Sequence, residues 1–347
     1  MLGYGFHERL QAEAALYPSL YAGRVISQGK DIYRVASEDG EMMAAVSGKY
    51  RFAARGAAQY PAVGDFVLMD RATDESGNAV IHRLLPRSSA FIRKAAGTAN
   101  EEQVVAANID TVFVCMSLNN DFNLRRLERY LSIGWNSGAT LVVVLTKADL
   151  CADVRQRLRE VEMIAMGADV LVVTAMETDG CAAVRPYIAP GKTVALLGSS
   201  GVGKSTLINR LLGEDRLGTN GLRGDDKGRH TTTRRELLPL PGGGMVIDTP
   251  GMRELGMWDA AEGIDKTFAQ IEALFSRCRF HDCSHTNEPG CAVQKAIADG
   301  ELPKARWLSY QKLKQEAAYA ADAAGYLTQK EQKFKDIAKV NKANKKR

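Results

Sequence analysis

Residues Thr193 to Thr206 read TVALLGSSGVGKST, and their reading decides the fold. An apolar run, Val194 to Leu197, opens into Gly198; four residues follow, and Gly203, Lys204 and Ser205 complete the pattern G-x-x-x-x-G-K-S. This is a phosphate-binding P-loop, where a strand turns into a helix around an anion. Gly198 and Gly203 allow backbone angles that bring the N–H groups of Ser199, Ser200, Gly201, Val202 and their neighbours around a β-phosphate. Lys204 supplies a point charge to the β- and γ-phosphates, and Ser205 suits Mg²⁺. The helix that starts with Lys204, Ser205 and Thr206 points its positive end at the same anion. Its apolar face, Leu207, Ile208 and Leu211, argues against a chance glycine-rich turn.

At 347 residues the chain has room for two or three cores. With 45% hydrophobic and 25% charged residues it reads as a soluble globular protein. The N-terminal MLGYGFHERL carries charge where a signal peptide needs an apolar core, and no run reaches the roughly 18 apolar residues of a membrane helix. A cytoplasmic monomer without membrane contact is expected. The net charge of +5 is concentrated: Lys330 to Arg347 holds eight Lys/Arg against Glu331 and Asp336, leaving the rest near neutral. Such a tail is solvated by default and also suits a polyanionic partner.

Five short alternating segments, Arg24–Ser27, Asp31–Ala36, Glu41–Val46, Asp65–Met69 and Val80–Leu85, are punctuated by Gly, Asn, Asp and Pro. That strand count in so short a stretch predicts a small closed barrel of the OB type. Lys49, Tyr50, Arg51 and Phe52 interleave charge with rings, which fits either a nucleic-acid face or a solvated hairpin. After a basic connector, Pro86 to Gly97, strands Thr111–Met116, Leu141–Leu145 and Val170–Val173 alternate with helical stretches up to the P-loop strand. Such alternation predicts a parallel sheet covered on both faces.

The strand Leu141–Leu145 runs into Thr146-Lys147-Ala148-Asp149, similar to the NKxD element by which GTPases read guanine. Asp149 would accept from guanine N1–H and the 2-amino group, while the stem of Lys147 covers the base; Thr146 stands where Asn is usual. Helix capping is the alternative role for Asp149. Thr174-Ala175 closes the next strand, where GTPases place a backbone N–H against guanine O6. Downstream, Met245–Ile247 ends in Asp248-Thr249-Pro250-Gly251, 44 positions after Lys204. Asp248 suits a hold on Mg²⁺, and the Gly251 N–H can sense a γ-phosphate. Between the two lies GRHTTTR, Gly228 to Arg234, a candidate switch. Among Thr231, Thr232 and Thr233, Thr232 is chosen to complete the Mg²⁺ shell. The base-reading motifs precede the phosphate-reading ones, so the order is circularly permuted, yet every motif sits at a strand's C-terminal end.

Cys278-x4-Cys283-x-His285-x5-Cys291 gathers three thiols and an imidazole within fourteen residues, matching a closed structural zinc site. His281 is the substitute ligand. Pro303–Ala324 then reads as a helix with Trp307, Tyr310 and Leu313 on one face, packed on the zinc loop.

P-loop, DTPG, a permuted TKAD, an N-terminal barrel carrying PAVGDFV (Pro61 to Val67) and a C-terminal CRFHDCSHTNEPGC together closely resemble the RsgA family, over about residues 20 to 315. The resemblance implies a multidomain α/β protein in three parts: barrel and connector (1–97), permuted GTPase domain (98–270), and zinc domain with helix and basic tail (271–347). It implies GTP hydrolysis stimulated by the small (30S) ribosomal subunit during maturation, with binding near the rRNA decoding region. GTP or GDP, Mg²⁺ and one structural Zn²⁺ are the implied cofactors. It also matches His230 to a histidine proposed to place or activate the attacking water. Met252, after DTPG, cannot orient water, so the group must come from elsewhere; a merely polar loop role for His230 is the alternative. Gly201 stands where potassium-activated GTPases carry Asn, so no monovalent ion is expected. Two other classes compete: an RNA-binding module with a structural nucleotide domain, and a P-loop ATPase or kinase.

Overall fold

The computed structural model describes residues 1–74, 77–94, 101–177, 179–217, 235–248 and 260–321. By packing, the chain divides into two compact units, Met1–Leu255 and Gly256–Arg347.

The first unit begins with a helix, α1 (Glu8–Ala15), and five strands: β1 (Tyr21–Gln28), β2 (Tyr33–Ala36), β3 (Glu41–Val46), β4 (Phe66–Met69) and β5 (Ala79–Leu84). Each overlaps a strand expected from the sequence. Pairing runs β1-β2-β3-β5-β4 and returns to β1 through Tyr21↔Met69 to Arg24↔Phe66, so the sheet closes on itself as an OB-type barrel. Alternating residues such as Val25, Val35, Ala44, Val67 and Ile81 fill its interior. Between β3 and β4 lies a short helix, α2 (Gly48–Ala53), started by the Ser47 hydroxyl accepting from Tyr50 N–H at 3.0 Å. Lys49 to Phe52 therefore sit on a helix and not on a strand face or hairpin. The Ser47 cap overrides the alternating pattern, and Tyr50 turns in against Tyr60, ring centroids 6.2 Å apart.

Next come β6 (Ala90–Lys94) and β7 (Glu102–Ala107), an antiparallel pair. β6 occupies part of the stretch that reads as a connector; its five residues are too few to show a period. The remaining elements are β8 (Thr111–Ser117), α3 (Leu124–Trp135), β9 (Thr140–Thr146), α4 (Val154–Glu162), β10 (Asp169–Val172), β11 (Thr193–Leu197), α5 (Lys204–Leu212), β12 (Glu236–Pro239) and β13 (Met245–Asp248). Their order is β10-β9-β8-β11-β13-β12, parallel throughout except for β12. The chain builds outward from β8 to β10 and then returns to place β11 on the other side of β8. This reversal makes the C-terminal ends of β8 and β11 the switch point at which open α/β sheets bind ligands. Unforeseen in the sequence, β12 joins the sheet to the barrel at Ser27↔Glu236, on the edge of β1 beyond Arg24, where its pairing with β4 ends.

The second unit holds α6 (Ala261–Thr267), α7 (Ala269–Phe275), α8 (Ala292–Ala298) and α9 (Lys304–Ala321). As expected from the spacing, Trp307, Tyr310, Leu313 and Ala317 of α9 are buried. No helix among the described residues is long and apolar enough to cross a membrane.

Candidate nucleotide site and metal centre

The P-loop connects β11 to α5 at the switch point. Gly198 has φ +155°, and a Cβ there would fall 2.6 Å from the Cys115 carbonyl of β8, so only glycine lets the loop leave this close to its neighbour. Gly203 has φ +100° and faces Thr146, the last residue of β9. The Lys204 ammonium donates to the carbonyls of Gly198 (2.8 Å) and Ser199 (2.6 Å), folding the side chain over the loop. Lys204, Ser205 and Thr206 are half-buried at the helix start. Beneath them Cys115 is fully buried, and burial pushes its thiol up to about 12, a packing role rather than a reactive one.

The upstream motif reaches the same place. The Thr146 hydroxyl donates to the Val202 carbonyl at 2.5 Å, tying the end of β9 directly to the P-loop. Lys147 adopts the left-handed conformation, φ 56°, which turns the chain sharply after the strand. Asp149 then accepts from the Thr174 hydroxyl at 2.8 Å, so the TKAD and Thr174-Ala175 loops are joined by one hydrogen bond. Arg210 of α5 donates to the Ala175 carbonyl at 2.7 Å, linking that loop back to the phosphate-side helix. Ser199 donates to Asp121 at 3.3 Å, from the loop after β8. Sequence reading misses Arg210 and Asp121, because neither belongs to a local pattern and both act across the fold.

Asp248 closes β13, whose Ile247 pairs with Ala195 of β11, so carboxylate and P-loop leave adjacent strands in the same direction. The Asp248 carboxylate and Ser205 hydroxyl are hard oxygen donors of the kind Mg²⁺ takes. His230, Thr231, Thr232, Thr233, Thr249 and Gly251 lie outside the described residues, as do Lys330 to Arg347.

In the second unit Cys278, Cys283, His285 and Cys291 bring their ligand atoms within 4.8 Å of one another. His285 Nδ1 stands 3.5 Å from Cys278 Sγ and 3.7 Å from Cys291 Sγ, matching the nitrogen–sulfur edge of about 3.6 Å that tetrahedral zinc bonding implies. His285, φ 57°, is fixed by stacking on Phe275 at 4.2 Å and by Gln294 donating to its carbonyl. Backbone N–H groups of Ala292 and Gln294 point at the sulfurs of Cys278 and Cys291. Burial raises the Cys278 thiol, but the Ala292 N–H and neighbouring thiols outweigh it and hold it below its ordinary value. Cys283 is pushed up to about 11 by burial and by the thiols of Cys291 and Cys278. The donor set, three thiols and an imidazole, fits zinc.

A P-loop at the switch point, joined through Thr146 to a guanine-type loop that precedes it in the chain, defines a circularly permuted P-loop GTPase. Residues 84–258 match the family described as RsgA GTPase. The small ribosomal subunit biogenesis GTPase RsgA 2 of Lactiplantibacillus plantarum is 48% identical over 320 residues, covering 92% of this chain and 90% of its own. RsgA of Opitutus terrae is 50% identical over 307 residues, 86% of this chain and 84% of its own. Among solved structures, YjeQ from Thermotoga maritima superposes with TM-score 0.62 at 28% identity, covering 85% of this chain and 97% of that one. YloQ, described as a circularly permuted GTPase, shares the fold with TM-score 0.57 at 24% identity, over 84% and 93% of the two chains. The chain belongs to the RsgA GTPase family, and GTP hydrolysis is its reaction.

Proposed function

We propose that this GTPase acts in the cytoplasm on the small ribosomal subunit late in its assembly, gripping rRNA in the GTP state and leaving on hydrolysis. The observation that carries this reading is the direct tie between base-reading and phosphate-reading loops, Thr146 to Val202 and Thr174 to Asp149, in a chain whose relatives are small-subunit biogenesis GTPases. Asp149 accepts from guanine N1–H and the 2-amino group, Lys147 covers the base, and the Ala175 N–H meets O6. Amides of Gly198 to Thr206 cradle the phosphates, and Lys204 neutralises charge that builds on the β–γ bridge. Ser205, Asp248 and Thr232 hold Mg²⁺, which supplies further charge neutralisation when bound; Gly251 senses the γ-phosphate. His230 places the attacking water. Cys278, Cys283, His285 and Cys291 hold a structural zinc.

The barrel offers a contact suited to unpaired RNA. Phe52 is 94% exposed on α2 among the exposed Lys49, Arg51 and Arg55, a ring for a base with cations for its phosphates. Co-sedimentation with small subunits in GDP, GTP and a non-hydrolysable GTP analogue, over a salt series, tests the whole reading. Binding should be strongest with the analogue and fall steeply with salt, and Phe52→Ala should weaken it about tenfold. Equal binding in all three nucleotide states would favour an RNA-binding module with a structural nucleotide domain.

A further inference from the structure

The barrel touches the β12–β13 hairpin at two places of opposite character. Near the start of β13, Arg24 of β1 is 1% exposed and donates to the carbonyls of Tyr4, Gly64 and Asn108, with its guanidinium 3.4 Å from Met245 Sδ. Asn108 donates to the same Gly64 carbonyl at 3.2 Å, and beside it the fully buried Asp65 is clamped by Arg87 through two bonds of 2.7–2.8 Å. Removing one partner here would strand a charge away from water, so this seam is fixed.

At the far end of β13 the contact is ionic and partly wet. Glu236 of β12 is paired with Arg34 of β2 and lies 3.7 Å from Arg216; Arg34 in turn lies 3.7 Å from Glu41 of β3. The four side chains, between 29% and 52% exposed, form a line of alternating charge from the barrel to the turn that follows α5. Glu236 is the register partner of Asp248, lies three residues after Thr233, and is reached by Arg216 four residues beyond the end of α5. One carboxylate thus adjoins the end of β13 that carries Asp248 and the turn after the P-loop helix. Ion pairs this exposed are readily exchanged, unlike the Arg24 seam.

We infer that the line Glu41–Arg34–Glu236–Arg216 couples the barrel to the bound nucleotide, re-pairing between GDP and GTP states while the Arg24 seam serves as the pivot. Arg34 and Glu236 are positioning residues that touch neither nucleotide nor metal. The inference requires nucleotide binding only and stands apart from the ribosomal reading.

Hydrogen–deuterium exchange on the full chain tests it, comparing GDP with a non-hydrolysable GTP analogue, both with Mg²⁺. In the native protein, amides of β1 and β2 around Ser27 and Arg34 should exchange at rates differing about threefold or more between the two states. Arg34→Met should erase that difference and shift the ratio of the two nucleotide affinities by no more than about threefold, the size of the coupling it removes. Glu236→Gln, isosteric, should do the same by a second route, and Arg34→Lys should restore part of it. A difference that persists in Arg34→Met and Glu236→Gln, or is missing from the native protein, overturns the inference.

Discussion

The nucleotide end of the sheet and the cysteine loop are both candidate ligand sites, built by opposite means. In the first, backbone does the work: parallel strands aim their C-terminal ends at one crevice, and short links such as Thr146 to Val202 fix the loops. In the second, side chains must do it, because the segment from Cys278 to Cys291 has little apolar content and is pinned locally by Glu288. That carboxylate accepts from the N–H groups of Ser284, Thr286 and Asn287, and the Ser284 hydroxyl, with the backbone N–H groups of Glu288, Ser284 and Thr286, holds it at about 2. A site framed by a sheet should survive loss of its ligand. One framed by four side chains should not.

The largest effect should come from taking the metal away. Structural zinc contributes about 10–16 kcal/mol in small domains, so a strong chelator should melt the cysteine loop and loosen the edge-to-face contact of Phe275 with Trp307, read by near-UV circular dichroism. GDP affinity should stay within about twofold, since the sheet and its caps are untouched; a matching loss would erase the contrast. Next, with Lys204 at the phosphates as proposed, Lys204→Ala should lower GTP turnover by about a hundredfold, near 3 kcal/mol, with the melting temperature of the apo protein almost unchanged.

With Asp149 on guanine as proposed, Asp149→Asn replaces one acceptor oxygen by a donor and should weaken GDP by about tenfold to a hundredfold, or about 1.5–3 kcal/mol, while barely altering ATP binding. If GTP and ATP then compete as before, guanine reading lies elsewhere. The smallest effect is expected from Thr174→Val, which keeps the shape of the side chain but removes the hydroxyl that steadies Asp149. A three- to tenfold weakening of GDP, about 1 kcal/mol, follows from one lost hydrogen bond.

Much of this was legible in the sequence where the signal is local. Five barrel strands, the parallel strands from Thr111 onward and the zinc quartet all announce themselves within fifteen residues or fewer. Local reading fails where a single residue decides, as when Ser47 caps a helix inside an alternating stretch. It also fails for β12, four residues whose only reason to be a strand is the edge offered by β13 and β1. The links that turn motifs into a site are the hardest to foresee. Thr146 meets Val202 across 56 positions and Asp149 meets Thr174 across 25, distances at which no spacing rule operates.

Strand β1 belongs to both halves of the sheet. Because that strand closes the barrel and also reaches β12 at Ser27, eleven strands form one continuous hydrogen-bonded sheet. A fragment cut to begin at residue 98 would bare the margin of β12 to solvent, and bare margins recruit one another. Such a trimmed enzyme should associate with itself in solution, which makes the barrel a guard of the catalytic half as well as its neighbour.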